Sequence, residues 1–147
     1  MYQRILIATD GSTLSKKAVQ HGLKLASLAD AEIVALTVIP RYPQSYFEGS
    51  LPVPVKEVAA VEKQWADQGQ AVVDAIKKTA ETKGLKAKAV TAKSDLVAEA
   101  IIAAAKKHKC DLVVMASHGR KGLKRLLLGS ETQHVLTHSH VPVLVLR

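Results

Sequence analysis

Short apolar runs alternate along this chain with segments whose apolar residues recur at helical spacing, and no other property restricts the fold as much. RILIAT (Arg4–Thr9) and LVVMA (Leu112–Ala116) are nearly continuous in apolar residues, as strands covered on both faces must be. EIVALTVI (Glu32–Ile39), closed by Pro40, and VPVLVL (Val141–Leu146) read as two further strands. Lys86–Thr91 opens by alternating lysine with alanine, the pattern of a strand with one wet face at a sheet edge. Leu14, Ala18, Gly22, Leu25 and Ala29 predict a helix over Thr13–Ala29. Val58, Val61, Trp65, Val72 and Ile76 predict a long helix ending near Gly84, with Trp65 in its core-facing stripe. Val97, Ala100, Ile101 and Ala104 mark a third helix. A fourth starts at Ser130, which suits an N-cap, with Gln133 three positions later completing a capping box.

The order βαβαβαβαβ shows no internal repeat and no linker. It predicts a single α/β domain over residues 1–147: an open five-stranded parallel sheet with helices on both faces, Rossmann-like, joined by right-handed crossovers. The two most apolar strands belong at its centre. As neighbours, their C-terminal ends flank the switch-point crevice where such sheets bind ligands. Asp10 leaves one of these ends, and Met115-Ala116-Ser117-His118-Gly119 leaves the other. The irregular segment Arg41–Glu57, rich in proline and aromatic residues, is expected to be a surface loop or lid.

The chain carries 21 Lys and Arg against 13 Asp and Glu, a formal charge of +8. The charge is scattered over two regions, Lys77–Lys88 and Lys106–Lys109, without the interleaved aromatics of a single-strand binding platform, which argues against a specific nucleic-acid partner. No apolar run approaches the roughly 20 residues of a membrane span, and the apolar block before Asp10 is too short for a secretory signal. Cys110 stands alone, so a reducing, cytoplasmic setting is expected and no disulfide framework. It reads as a packed thiol. His134 and His138 lie one helical turn apart, but with no cysteine nearby no metal site is expected.

The stretch MASHGRKGLKRLLLGS (Met115–Ser130) lies where a ligand would sit. A helix start presents free N–H groups and a positive dipole end to an anion, and glycines allow close backbone approach. Neither of the common nucleotide fingerprints, GxxxxGK followed by Ser or Thr and GxGxxG, is present. Asp10 has two readings, as a turn former before Ser12 and as a ligand contact.

IATDGS after the first strand, LTVIP at the end of the second, and MASHGRKGLKRLLLGS before VPVLVLR resemble the universal stress protein family across essentially the whole chain. Nucleotide-binding members carry G-x2-G-x9-G-S/T; here the pattern is Ala116-x2-Gly119-x9-Gly129-Ser130, with alanine at the first glycine. The resemblance implies an adenine nucleotide alpha hydrolase-like fold that binds ATP, with Mg²⁺ held by phosphate oxygens and water. It puts Gly119, Gly129 and Ser130 around the phosphates, Asp10 at the nucleoside and Val38 beside adenine. The candidate binding residues are therefore Ala8, Thr9 and Asp10; Val38; Met115, Ala116, Ser117, His118, Gly119, Arg120 and Gly122; and Gly129, Ser130, Glu131 and Thr132. One of Arg120, Lys121, Lys124 and Arg125 is expected to neutralise phosphate charge. The resemblance further implies a homodimer joined through the last strand.

Three functions remain open at this point. The first is a nucleotide-responsive regulatory or stress-resistance protein with slow or no hydrolysis, acting on an unknown protein partner. The second is an ATP-hydrolysing enzyme, and the third a partner-binding protein that does not use nucleotide. No catalytic residue is expected, because no paired carboxylates can be placed beside a γ-phosphate. The segments SGGxDS, HIGH and KMSKS are absent, which argues against adenylate-forming synthetases.

Overall fold

The computed structural model describes residues 1–43, 54–118 and 128–147. Its elements, in chain order, are β1 (Arg4–Ala8), α1 (Thr13–Ala29), β2 (Glu32–Ile39), α2 (Val55–Thr82), β3 (Ala87–Lys93), α3 (Val97–Lys107), β4 (Leu112–Ala116), α4 (Ser130–His138) and β5 (Val143–Leu146). The strands form one parallel sheet in the order β3-β2-β1-β4-β5. β1 and β4 are therefore adjacent at the centre and the chain winds outward from both. The lysine-bearing β3 is an edge, as its alternation predicts.

Side chains alternate across the sheet. Ile5, Ile7, Ile33, Ala35, Leu112 and Val114 pack with α1 and α2, while Leu6, Ala8, Val34, Leu36, Val113 and Met115 pack with α3 and α4. Both faces are covered, which is why residues 5–8 of β1 and all of β4 carry no polar residue. α1 starts where Ser12, in extended conformation, accepts the Ser15 N–H at 3.3 Å. It ends at Asp30 in the left-handed region, φ 54°. Its buried stripe, Ala18-Gly22-Leu23-Ala26, lies directly on β1 and β4.

Three sequence expectations need correction. α2 begins at Val55, inside the segment expected to be a lid, because Pro54 ends the extended chain and its carbonyl accepts the N–H groups of Glu57 and Val58. Of that expected lid, residues 44–53 lie outside the described residues. Trp65 is not core: it is half-buried and stacks on Tyr42, ring centroids 6.1 Å apart. Finally, Gly129 rather than Ser130 is the N-cap of α4, and no side-chain cap forms there. The Gln133 side chain donates instead to the Leu128 carbonyl at 3.0 Å.

Candidate functional site

The C-terminal ends of β1 and β4 lie side by side at the switch point, as the sequence predicts. After β1 the chain turns sharply into α1. Thr9, buried, donates its N–H to Leu36 O at 2.9 Å, and its hydroxyl meets Ser15 Oγ at 2.8 Å and accepts the Gly11 N–H at 3.1 Å. Asp10 Oδ1 accepts the Ser12 N–H at 2.9 Å. The turn-former reading of Asp10 thus holds. Gly11 takes φ 79°, open to glycine at no steric cost.

Across the crevice, the two ends of the Met115–Ser130 stretch are clamped together. Gly129 N–H donates to Ser117 O at 2.9 Å, and the buried Thr132 hydroxyl bonds the Ala116 and Ser117 carbonyls, both at 3.0 Å. Ser117 N–H in turn donates to Leu146 O at 2.7 Å, which ties the clamp to β5. A side chain on Gly129 would meet Ser117 O at 3.2 Å and His118 Cα at 3.5 Å. Its φ of −61° suits any residue, so glycine here serves close approach rather than conformation, and a side chain would displace Ser117 O by a few tenths of an ångström.

This clamp engages part of the donor set at the helix start. Gly129 N–H is already bonded, whereas the first N–H groups inside α4 have no intrahelical acceptor. Ser130, exposed at the first helical position, keeps its hydroxyl out of capping. The capping box expected of Ser130 and Gln133 therefore does not form, and the helix start keeps its N–H groups without a side-chain cap.

Ala116, at the first glycine position of the motif, packs its methyl into the core beneath α1. Ala8, Val38 and Met115 lie on the opposite face, against the α3–α4 cluster. His118 is half-buried, its Nδ1 3.1 Å from Ser117 Oγ. Gly119, Arg120 and Gly122, together with Lys121, Lys124 and Arg125, lie outside the described residues.

Glu131 has a role that sequence patterns do not reveal. Its Oε2 accepts the Ala98 N–H at 3.0 Å, in the first turn of α3, whose own N-cap, Leu96, has no capping side chain. A carboxylate there also meets the positive end of the helix dipole. Glu131→Ala is therefore expected to destabilise the fold by about 1 kcal/mol, measured by urea unfolding; wild-type stability would show that the bond to Ala98 contributes nothing.

Two other reactive groups do not join the site. Burial pushes the Cys110 thiol up to about 11, so it stays protonated and inert near neutrality. The His134 and His138 rings lie 4.4 Å apart, tilted by 35°, and among the described residues no group of three potential metal ligands forms. Among those residues, too, no helix is long and apolar enough to cross a membrane.

A family model described as "Universal stress protein family" matches residues 1–147. The universal stress protein MJ0531 of Methanocaldococcus jannaschii is 35% identical over 149 residues, covering 100% of this chain and 83% of that protein. Among solved structures, the universal stress protein UspA from Lactobacillus plantarum superposes with a TM-score of 0.83 at 21% identity, covering 99% of this chain and 98% of that one. A universal stress protein in complex with cAMP superposes with a TM-score of 0.71 at 24% identity, covering 99% and 97%.

Proposed function

This chain belongs to the universal stress protein family, and on that premise we propose that it binds ATP in the switch-point crevice as a nucleotide-responsive regulatory or stress-resistance protein. The observation that carries this reading is the start of α4: an uncapped Ser130 beside Gly129, clamped against the end of β4. Backbone N–H groups, a hydroxyl and a helix dipole converge there, as anion binding requires. The cAMP complex of a structural neighbour supports an adenine nucleotide as ligand. ATP itself, with Mg²⁺ on its phosphates, is the finer proposal, and it rests on the spacing Gly119-x9-Gly129-Ser130. Asp10 is assigned to the nucleoside and Val38 to the adenine flank. A magnesium ion there would screen the phosphate charge while keeping most of its water. Ala116 does not obstruct the site, because its methyl points into the core.

Hydrolysis is expected to be slow or absent. Among the carboxylates near the crevice, Glu131 is engaged with α3 and Asp10 is assigned to the nucleoside end, away from a γ-phosphate where an attacking water would be oriented. Calorimetry of ATP, ADP, AMP and cAMP on nucleotide-stripped protein tests the proposal, with Trp65 emission as a second signal because the ring stacks on Tyr42 next to the end of β2. Gly129→Val should weaken ATP binding at least tenfold, about 1.4 kcal/mol, by forcing the α4 start away from Ser117. Ala116→Gly should leave affinity unchanged while costing about 0.5–1 kcal/mol of stability. A folded Gly129→Val protein that binds ATP like wild type would place the nucleotide elsewhere. Turnover near the ~10 s⁻¹ typical of enzymes, abolished by Asp10→Ala, would make the protein an ATPase.

A further inference from the structure

At the other end of the sheet, the starts of β1, β2 and β3 and the end of α3 enclose a depression of about 500 Å³. Arg4, Lys86, Lys88, Lys107 and Lys109 line it, against the single carboxylate of Glu32. The two basic regions that the sequence keeps apart meet here. On one wall the β2–β3 register pairs Val34 with Lys88, and Ile33 N–H donates to Lys86 O at 2.9 Å. On the other, Lys109 takes the left-handed conformation, φ 55°, as the chain leaves α3 for β4. Arg4 fixes the floor: its Nε and Nη2 reach Glu32 Oε2 at 2.9 and 2.7 Å, and its Nη1 reaches His108 O at 2.7 Å. Glu32 is thereby engaged. Among the described residues, no carboxylate forms an ion pair with Lys86, Lys88, Lys107 or Lys109.

On a convex helix face such lysines would diverge into solvent. Around a concavity they share one volume, and low-dielectric walls focus the field of like charges into it. We propose that this basin is a second ligand site, taking a small anion with several phosphate groups, an oligophosphate or a polyphosphorylated metabolite. Its volume falls within the roughly 300–1,000 Å³ of small-molecule pockets. Lysine meets phosphate as a point charge, without the planar matching that arginine imposes. The lining holds no Phe, Tyr or Trp on which a base would stack, which favours a compact anion over single-stranded nucleic acid. The site is separate from the nucleotide crevice and does not depend on that reading.

His108 supplies the readout. Burial, then the charges of Lys88, Lys107 and Arg4, hold its imidazole below the ordinary histidine range. The charged groups around it are Arg4 from β1, Glu32 from β2, Lys86 and Lys88 from β3, the flanking Lys107 and Lys109, and Asp111, which accepts the Gln3 and Arg4 N–H groups. A bound anion opposes the cationic repulsion and raises the His108 midpoint. Binding then takes up a proton, so affinity rises as pH falls through the raised midpoint and levels off below the original one.

Sodium tripolyphosphate titrated into the whole protein at low salt, with the His108 and His118 rings followed by NMR, tests the proposal. The His108 midpoint should rise by about half a pH unit, and calorimetry should show at least tenfold weaker binding for Lys88→Ala/Lys107→Ala. The exposed pair Lys86→Ala/Lys109→Ala repeats the test should the first variant fail to fold. Three results would overturn it: tripolyphosphate moving His118 alone, both variants binding like wild type, or a single-stranded oligonucleotide of equal charge binding the basin more tightly than tripolyphosphate.

Discussion

Gly22→Val is expected to destabilise the protein by about 3 kcal/mol, lowering Tm by roughly 6–12 °C for a domain of this size. A Cβ at Gly22 would stand 2.6 Å from Ile7 Cδ1 and 2.7 Å from Ile7 Cγ1. Ile7 cannot retreat: it is fully buried at the centre of β1, between Ala35 of β2 and Val114 of β4. Either α1 lifts off the sheet or Ile7 leaves its rotamer well, and both open gaps elsewhere in a close-packed layer. On an exposed helix surface, Gly→Ala would instead stabilise by about 1 kcal/mol. Here even Gly22→Ala is expected to lose stability, and that reversal of sign identifies the packing as the cause. Urea unfolding of both variants checks it. Should Gly22→Val match wild type, the α1–β1 approach described above is wrong. The site shares the consequence, since α1 holds the Asp10 turn through Ser12 and Ser15.

The same geometry explains why much of the fold was legible in the sequence. A strand covered on both faces has no polar position to spare, so RILIAT and LVVMA announce the sheet's centre, and the crevice between their ends follows from topology. Trp65 was misread because periodicity reports an apolar stripe without saying what lies opposite it. A 28-residue helix is about 42 Å long, whereas its eight-residue neighbour β2 spans about 26 Å. Only Val73, Ile76 and Ala80, in the C-terminal half of α2, are buried. The capping box failed for a related reason. Which residue takes the N-cap conformation is set by a tertiary bond, Gly129 N–H to Ser117 O, and not by the local pattern of Ser130 and Gln133. Glu131 and Ala98 are separated by 33 positions, and Lys88 and Lys107, on facing walls of the basic basin, lie on either side of α3 in the chain. No short-range signal records either meeting.

We propose that the chain forms a homodimer through β5, in which case Leu144→Lys is expected to convert the dimer into a monomer, raising its dissociation constant at least a hundredfold, or about 2.7 kcal/mol. Among the described residues β5 pairs with β4 on one side only, which leaves its outer backbone groups open to another strand. It is apolar at every position, and Leu144 is 38% exposed, a large side chain left partly in water at the sheet's edge. Pro142 lies just before the strand and contributes its carbonyl to Val113 N–H, so its missing N–H leaves the edge intact. Two copies related by a twofold axis would pair β5 with β5 antiparallel and extend the sheet across the interface. Fully burying a leucine contributes roughly 1.5–3 kcal/mol. The substitution acts once in each copy, and the two new ammonium groups would also face each other across the axis. Light scattering at micromolar concentration, with sedimentation equilibrium for the dissociation constant, measures the effect, and Val143→Lys provides a neighbouring comparison. Such a dimer would also bear on the site, because Leu146 of β5 accepts the Ser117 N–H behind the clamp that positions Gly129. Strand pairing that stiffens β5 should therefore tighten ATP binding, and the Leu144→Lys monomer should bind ATP more weakly although the substitution touches no proposed nucleotide contact. A wild-type protein that is monomeric at these concentrations would overturn the assembly and this coupling together.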